Sequence, residues 1–126
     1  MAMPDLTNKT FLVVDDDDIV LSATQEMLSE TGSRIHYAAD SYNAIRFFKQ
    51  QYRCIDMVLL DLDLPDLDGF STFKIMRRYG PDNPIIVCSA YADSAEFLPF
   101  AKAQAIEYLY KPFKAVDLAT KLARYF

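Results

Sequence analysis

Several short apolar runs in this chain end at residues whose side chains can take part in chemistry. Asp15 and Asp16 follow the first run, and Asp61 closes another. Ser89 and Lys111 come at the ends of two later runs. Clustered carboxylates in a partly desolvated place need a counter-charge. Oxygen ligands around an open position suit Mg²⁺, which keeps several waters and binds phosphate oxygens.

An aspartate in such a cluster can itself attack phosphorus, because a carboxylate is a nucleophile that gives an acyl phosphate. Mg²⁺ would neutralise charge on the transferring group, and Lys111 could bind another of its oxygens. Ser89 could donate a hydrogen bond to the phosphoryl group. Taken singly, Lys111 and Ser89 are more often structural. Their joint placement with the carboxylates predicts a phosphorylatable aspartate with metal and phosphate ligands.

The elements that must position these residues can be predicted from the alternation of short apolar runs with longer amphipathic segments. The apolar runs predict five strands, at Thr10–Val14, Arg34–Ala38, Met57–Asp61, 84–89 and Glu107–Tyr110. The third run is apolar on both faces, which is typical of a central strand in a parallel sheet.

The amphipathic segments predict five helices. The first starts at Asp17 or Asp18 and ends at Gly32, and the second starts at Asp40 or Ser41. The third follows Asp68-Gly69, and the fourth lies between residues 93 and 104. The fifth has five residues on its apolar face, which are Ala115, Leu118, Ala119, Leu122 and Tyr125. Strands alternating with helices predict a doubly wound parallel α/β sheet with helices on both faces. Ligands bind such sheets at the carboxyl ends of the strands, where the reactive residues stand.

The composition bounds the classes of function. Hydrophobic residues make up 52% and charged residues 25% of the 126 residues, which is typical of one soluble domain. No apolar run approaches the ~20 residues of a membrane-spanning helix, and the N-terminus lacks the features of a secretory signal. The net charge of −5 argues against binding nucleic acid or anionic membranes. Cys54 and Cys88 have no CxxC spacing, which favours a cytoplasmic protein with both thiols buried.

Four motifs together resemble the receiver domain of two-component response regulators, and the single-domain chemotaxis regulators in particular. The matching segments are FLVVDD at 11–16, Leu60-Asp61 with Leu64-Pro65 and Asp68-Gly69, Cys88-Ser89-Ala90, and YLYKPF at 108–113. They cover nearly the whole chain in the family's order and spacing. The resemblance implies a flavodoxin-like strand order, 2-1-3-4-5.

The resemblance also implies roles for the residues of the acidic edge. Asp61 would be the phosphoacceptor, receiving its phosphoryl group from a phosphohistidine on a sensor histidine kinase or a histidine phosphotransfer protein. Mg²⁺ (or Mn²⁺) would be bound directly by Asp16 and Asp61, through a water by Asp15, and by the backbone carbonyl of Asp63. Lys111 would contact a phosphoryl oxygen and restrain the unphosphorylated carboxylate.

A switch is implied as well. Phosphorylated Asp61 would draw Ser89 toward it, and Tyr108 would turn inward into the space that this frees. The face made by the fourth helix, fifth strand and fifth helix would then signal to a downstream protein or output domain, and a phosphorylation-linked homodimer is left open. The small Ala90 would leave access to the site, and Pro112 would follow a cis peptide bond.

The chain departs from the family pattern around the fourth helix. Gln104 stands where the family usually has glycine, and Pro99 falls inside the expected helix. Both predict a late start, a kink or a different end for that helix. The aromatic residues of this segment could form a partner surface or pack in the core; they are Tyr91, Phe97 and Phe100.

Two other functions are open at this point. Asp61-Leu62-Asp63 is similar to the nucleophile motif of haloacid-dehalogenase-type phosphatases, although there the motif ends the first strand and a longer chain follows. A pseudo-receiver that binds a partner without phosphorylation is favoured only by the departures. We expect a single receiver domain over residues 1–126, ordered from about residue 8. It would be a signalling domain and no enzyme, catalysing only its own phosphorylation and dephosphorylation.

Overall fold

The computed structural model describes residues 2–90, 99, 102–103 and 107–126. Its strands are β1 (Thr10–Val14), β2 (Arg34–Ala38), β3 (Met57–Asp61), β4 (Ile85–Ser89) and β5 (Glu107–Tyr110). They form one parallel sheet in the order β2-β1-β3-β4-β5. The described helices are α1 (Asp18–Ser29), α2 (Ser41–Gln51), α3 (Gly69–Tyr79) and α4 (Ala115–Leu122), with a short 3-10 helix at Tyr52–Cys54. The predicted doubly wound sheet and its strand order are confirmed.

Helices cover both faces of the sheet, because alternate side chains of the central strands point to opposite sides. Both faces are lined by buried side chains. The side covered by α2 and α3 contains Leu12, Val14, Ala44, Phe48, Val58, Leu60, Phe73, Met76, Ile85 and Val87. The side covered by α1 and α4 contains Phe11, Val13, Leu28, Met57, Leu59, Ile86, Leu109, Leu118 and Leu122. Strands β3 and β4 are therefore buried along their whole length.

The strand register brings the chain to one edge at the carboxyl ends of the strands. Val14 pairs with Leu60, and Asp61 pairs with Cys88. Ser89 pairs in turn with Tyr110. Residues that follow β1, β3 and β5 are thus brought to the same edge, which is the placement that the sequence predicts.

Aspartates cap three helices, and two of them, Asp17 and Asp40, are each one of the two starting positions that the sequence predicts. The Asp17 carboxylate accepts a hydrogen bond from the Ile19 N–H at 2.9 Å, and Asp40 accepts one from the Asn43 N–H at 2.7 Å. Asp68 caps α3 in the same way through Ser71. A side-chain oxygen at this position satisfies a helix amide that has no partner within the helix.

Helix α1 ends earlier than predicted, at Ser29 instead of Gly32. The Thr31 hydroxyl and the Thr31 N–H both donate to the carbonyl of Leu28, at 2.6 and 2.9 Å, and close the last turn. Gly32 then takes a φ of +75°, a left-handed conformation that glycine adopts without steric cost. The glycine therefore marks the turn after the helix.

Three further expectations need correction. Cys54 is exposed, and only Cys88 is buried. Ala115 is exposed at the first position of α4, and Tyr125 lies beyond the end of that helix, so neither belongs to its buried face. Packing begins before residue 8, because Leu6 is 3% exposed and belongs to the cluster beneath α1 and α4. Among the described residues, no helix is long and apolar enough to span a membrane.

Most of the predicted fourth helix lies outside the described residues, and so do Tyr91, Phe97, Phe100 and Gln104. Pro99, Lys102 and Ala103 are described, and each is helical and exposed.

Candidate functional site

Three aspartates meet at the carboxyl edge of the sheet. Asp15 and Asp16 follow β1, and Asp61 is the last residue of β3. One carboxylate oxygen from each lies within 4.8 Å of the others. Asp15 and Asp61 are 4% and 2% exposed, whereas Asp16 is exposed. Hard oxygen donors in this arrangement, with one exposed carboxylate, fit a divalent cation such as Mg²⁺.

Lys111 provides the positive charge within this cluster. Its Nζ lies 2.7 Å from Oδ2 of Asp15 and 3.0 Å from Oδ1 of Asp61, and its side chain is 16% exposed. The backbone N–H of Lys111 donates to the carbonyl of Ser89 at 3.0 Å, and the bond to Pro112 is cis. One ammonium faces three carboxylates, so an excess of negative charge remains at the edge.

The titration of Asp61 reflects this confinement. Burial raises the pKa of Asp61, and it outweighs the lowering by the Asp63 N–H, which donates at 3.0 Å, and by Lys111. For Lys111, burial alone would lower the pKa, but the hydrogen bonds and charges of Asp15 and Asp61 raise it above its ordinary value. Lys111 is therefore a cation at neutral pH.

The other predicted site residues lie around the cluster. Ser89 ends β4 and is buried, and Ala90 after it is exposed. The exposed Asp63 approaches the cluster through its backbone N–H. Tyr108 is half-buried on the edge strand β5, where its ring lies 5.4 Å from Nζ of Lys121 and 5.7 Å from the ring of Tyr110. The structure brings Asp15, Asp16, Asp61 and Lys111 into one cluster and places Tyr108 beside α4.

An apolar groove runs next to the cluster. It is lined by Ile19, Val20 and Met27 of α1 and by Ala90, Pro112 and Phe113 of the loops after β4 and β5. Ile19 is 81% exposed at the start of α1. An exposed aliphatic side chain beside apolar lining suits contact with another protein.

Two contacts of the site region were not predicted from the sequence. The pairing of Lys111 with Asp15, in addition to Asp61, depends on the side-chain conformations in the folded chain. Asp66 accepts hydrogen bonds from the Ser41 and Tyr42 backbone N–H groups. No local sequence pattern could have indicated this contact, because Asp66 lies 25 residues after Ser41 and 24 residues after Tyr42.

A family profile described as the response regulator receiver domain matches residues 11–123. The chain belongs to this family. Receiver domains of this family are signalling domains, and the match covers every described strand apart from the first residue of β1.

Curated relatives agree with the assignment. The transcriptional regulatory protein PrrA of Mycobacterium bovis is 32% identical over 117 residues, which are 93% of this chain and 49% of the relative. The regulatory protein AtoC of Escherichia coli is 30% identical over 107 residues, 85% of this chain and 23% of the relative. The chain thus spans about half, or less, of the length of these relatives.

Solved structures share the fold. A CheY-like receiver domain protein from Methanospirillum hungatei is 26% identical with a TM-score of 0.84, over 94% of this chain and 93% of that one. The receiver domain of the sensor histidine kinase PA1611 from Pseudomonas aeruginosa is 30% identical with a TM-score of 0.83, over 94% and 98%. That second structure has a magnesium ion coordinated in its active-site cleft.

Proposed function

We propose that this receiver accepts a phosphoryl group on Asp61 from the phosphohistidine of a sensor histidine kinase or a histidine phosphotransfer protein. The observation that supports it best is the cluster of Asp15, Asp16 and Asp61 with Lys111 in hydrogen-bond contact with two of them. A carboxylate oxygen of Asp61 attacks phosphorus, the phosphorus–nitrogen bond breaks, and the imidazole leaves with the electron pair.

The metal in this proposal is Mg²⁺ or Mn²⁺. Asp16 and Asp61 would bind it directly, Asp15 through a water, and Asp63 through its backbone carbonyl. A bound divalent cation would offset the negative charge of the transferring phosphoryl group. The donor set supports this, because it is all oxygen and carries more negative charge than Lys111 neutralises.

The remaining site residues would bind the phosphoryl group or change conformation in response to it. Lys111, which is held between two carboxylates in the structure, would bind a phosphoryl oxygen once Asp61 is modified. Ser89 would donate a hydrogen bond to another oxygen, and the small Ala90 leaves the approach open. Tyr108 would then turn inward and change the surface made by β5, α4 and the segment before β5. A downstream protein or output domain would bind the changed surface. A second copy of this chain, in a phosphorylation-linked dimer, is one such partner.

The protein phosphodonor in this proposal reaches Asp61 across the exposed edge. The apolar groove beside the cluster, with Ile19 at its rim, offers it a contact surface. The net charge of −5 gives no support to direct binding of nucleic acid or membranes. We assign residues 1–126 to one receiver domain in the cytoplasm, and this domain catalyses only its own phosphorylation and dephosphorylation.

The test is phosphorylation by a small donor. The protein is incubated with Mg²⁺ and acetyl phosphate, and intact mass and tyrosine fluorescence are followed together. We expect the mass of one phosphoryl group to be gained with Mg²⁺ and not with a chelator. Asp61→Ala should remove the label, whereas Asp82→Ala, an exposed aspartate before β4, should keep it.

The two alternatives predict different results in the same experiment. A phosphorylation-independent pseudo-receiver would gain no mass and would show no response to Mg²⁺. A phosphatase of the haloacid-dehalogenase type would release phosphate from a phosphomonoester with turnover. A label that persists in Asp61→Ala would refute the assignment of the phosphoacceptor.

A further inference from the structure

Asp66 joins two elements that are distant in the sequence. Both of its carboxylate oxygens are used: Oδ1 accepts from the N–H of Ser41 and Oδ2 from the N–H of Tyr42, each at 2.9 Å. Ser41 and Tyr42 are the first two residues of α2. A carboxylate of the loop between β3 and α3 therefore binds the N-terminus of another helix, where amides have no partner within the helix.

The loop held in this way is the one that leads away from Asp61. At its start, the N–H of Asp63 donates to Oδ1 of Asp61 at 3.0 Å. At its end, the N–H of Gly69 donates to the carbonyl of Leu62 at 3.2 Å, which closes the loop on itself. Asp66 lies between these two points and makes the contact that ties the loop to a different element.

Buried hydroxyl groups reinforce the same junction. Ser41 Oγ lies 3.3 Å from the carbonyl oxygen of Leu67 and 2.9 Å from Oγ1 of Thr72 on α3. Ser41 and Thr72 are both fully buried. The loop, α2 and α3 thus meet at one hydrogen-bonded point, so a shift of the loop would have to break these contacts.

Two aspartates, Asp40 and Asp66, accept hydrogen bonds from the first amides of α2, but they tie the helix to different parts of the chain. Asp40 caps the helix from its own strand–helix connection, through the N–H of Asn43. Asp66 takes the two preceding amides from across the loop, and their hydrogen bonds lower the pKa of its carboxyl group. Removing Asp40 weakens the start of the helix, whereas removing Asp66 also takes away two of the hydrogen bonds that hold the loop against α2.

We propose that Asp66 is a positioning residue, which fixes the loop that presents Asp63 to the acidic cluster and thereby strengthens the binding of Mg²⁺. The inference rests on the proposed function in two respects, that Mg²⁺ is the ligand of the cluster and that the backbone carbonyl of Asp63 binds it. Asp66 acts through the loop and touches neither the metal nor the phosphoryl group. Residues that orient a metal ligand from outside commonly change metal affinity by about 10- to 100-fold. An effect through one carbonyl ligand should be smaller.

The experiment compares Asp66→Ala with Asp40→Ala as the matched control. Mg²⁺ affinity is measured by titration calorimetry, and amide hydrogen exchange is measured at Ser41, Tyr42 and Asp63. We expect Asp66→Ala to weaken Mg²⁺ binding by about three- to tenfold and to speed exchange at all three amides. Asp40→Ala should leave the affinity within about twofold. Asp66→Asn, which keeps one acceptor oxygen, should fall between Asp66→Ala and the unsubstituted chain.

The outcomes separate this inference from the proposed function. Equal Mg²⁺ affinities in Asp66→Ala and Asp40→Ala, with Asp61 still phosphorylated, would overturn the role of Asp66 alone. Mg²⁺ binding that weakens as expected, in a chain that takes no label from acetyl phosphate, would support Asp66 and overturn the proposed function. A folded unsubstituted chain that binds no Mg²⁺ would overturn both.

Discussion

The carboxylate of Asp61 occupies a place that favours reactivity over stability. It is 2% exposed, has Asp15 as a neighbour of like charge, and shares the ammonium of Lys111 with it. Burial raises its pKa, which means that the folded chain favours the protonated form. A group with a raised folded pKa stabilises the fold only at low pH, and that stabilisation is lost as the pH rises through the folded pKa. Ionisation of Asp61 therefore lowers the free energy of unfolding.

We therefore expect Asp61→Asn to stabilise the protein while it abolishes phosphorylation. Without Mg²⁺, the free energy of unfolding at pH 7 should rise by about 0.5–2 kcal/mol, as is common when a functional charge is removed. Urea denaturation followed by tyrosine fluorescence measures it. Asp16→Asn is the control, because Asp16 is exposed and should change the stability less. A loss of stability in Asp61→Asn would show that its pairing with Lys111 outweighs the cost of burial.

At the scale of single residues, the sequence predicted which side chains of the site lie together, but not the hydrogen bonds that hold the loop after Asp61 in place. The sequence could place Asp15, Asp16, Asp61 and Lys111 together, because each stands at or just after the carboxyl end of a strand in a parallel sheet, and these ends share an edge. The contact of Asp66 with α2 could not be predicted. It depends on where a loop lies relative to a helix that is distant in the sequence.

Among the elements, the loop between β3 and α3 depends on one glycine. A Cβ added at Gly69 would lie 2.8 Å from the Cβ of Leu62 and closer still to its Cα. Alanine is favoured over glycine in a helix by about 1 kcal/mol. Here the contact is with backbone, so the loop itself would have to move.

We expect Gly69→Ala to lower the free energy of unfolding by about 1–3 kcal/mol, as is typical of overpacking. Urea denaturation measures the change. Adding Leu62→Ala should not restore the stability, because the Cα of Leu62 stays in place. A Gly69→Ala chain that is more stable than the unsubstituted one would mean that helix propensity outweighs the overlap.

Strand β5 and helix α4 are joined by ion pairs whose strength depends on pH. Glu107 accepts from Lys121 at 3.0 Å and from Arg124 at 2.5 Å. Burial alone would raise the pKa of Glu107, but these two partners lower it below its ordinary value of 4.5. A group with a lowered folded pKa stabilises the fold above its unfolded pKa, and the stabilisation is lost as the pH falls through the folded pKa.

We expect Glu107→Gln to lower the free energy of unfolding at pH 7 by less than about 1 kcal/mol, the usual size for partly exposed pairs. The difference from the unsubstituted chain should shrink as the pH falls below 4.5. Urea denaturation from pH 3 to pH 7 measures it, in steps of about half a unit. Glu26→Gln, an exposed glutamate of α1, is the control. A difference that stays constant across this range would contradict the role of the charge.

Element boundaries were predicted well where a local rule decides them. Four of the five strands have the expected limits. Asp17 and Asp40, each one of two predicted starting positions, cap the helices that follow them, because capping involves only neighbouring residues. The predicted end of α1 was wrong, because the hydroxyl of Thr31 closes the last turn before Gly32. The hydrogen-bond partner of a threonine hydroxyl is harder to predict from sequence than the position of a glycine with a positive φ, because the hydroxyl has several competing backbone partners.

In the molecule as a whole, the reactive edge and the packing at the start of the chain lie at opposite ends of the sheet. The acidic cluster follows the carboxyl ends of β1 and β3, whereas Leu6 precedes the amino end of β1. The N–H of Leu6 donates to the carbonyl of Thr31 at 2.7 Å, and its side chain packs beneath α1 and α4. Stability and chemistry should therefore respond to different substitutions.

We expect Leu6→Ala to lower the free energy of unfolding by about 2–4 kcal/mol, since it removes a buried leucine from one of the two cores. The half-buried Met3 is the control, and Met3→Ala should cost less. Urea denaturation should show a lower midpoint with an unchanged slope, if the chain unfolds in one step. Because the acidic cluster keeps all its contacts, the folded fraction of Leu6→Ala should bind Mg²⁺ with unchanged affinity in a calorimetric titration. A weakened affinity would mean that the amino end of the sheet is coupled to the site across the core.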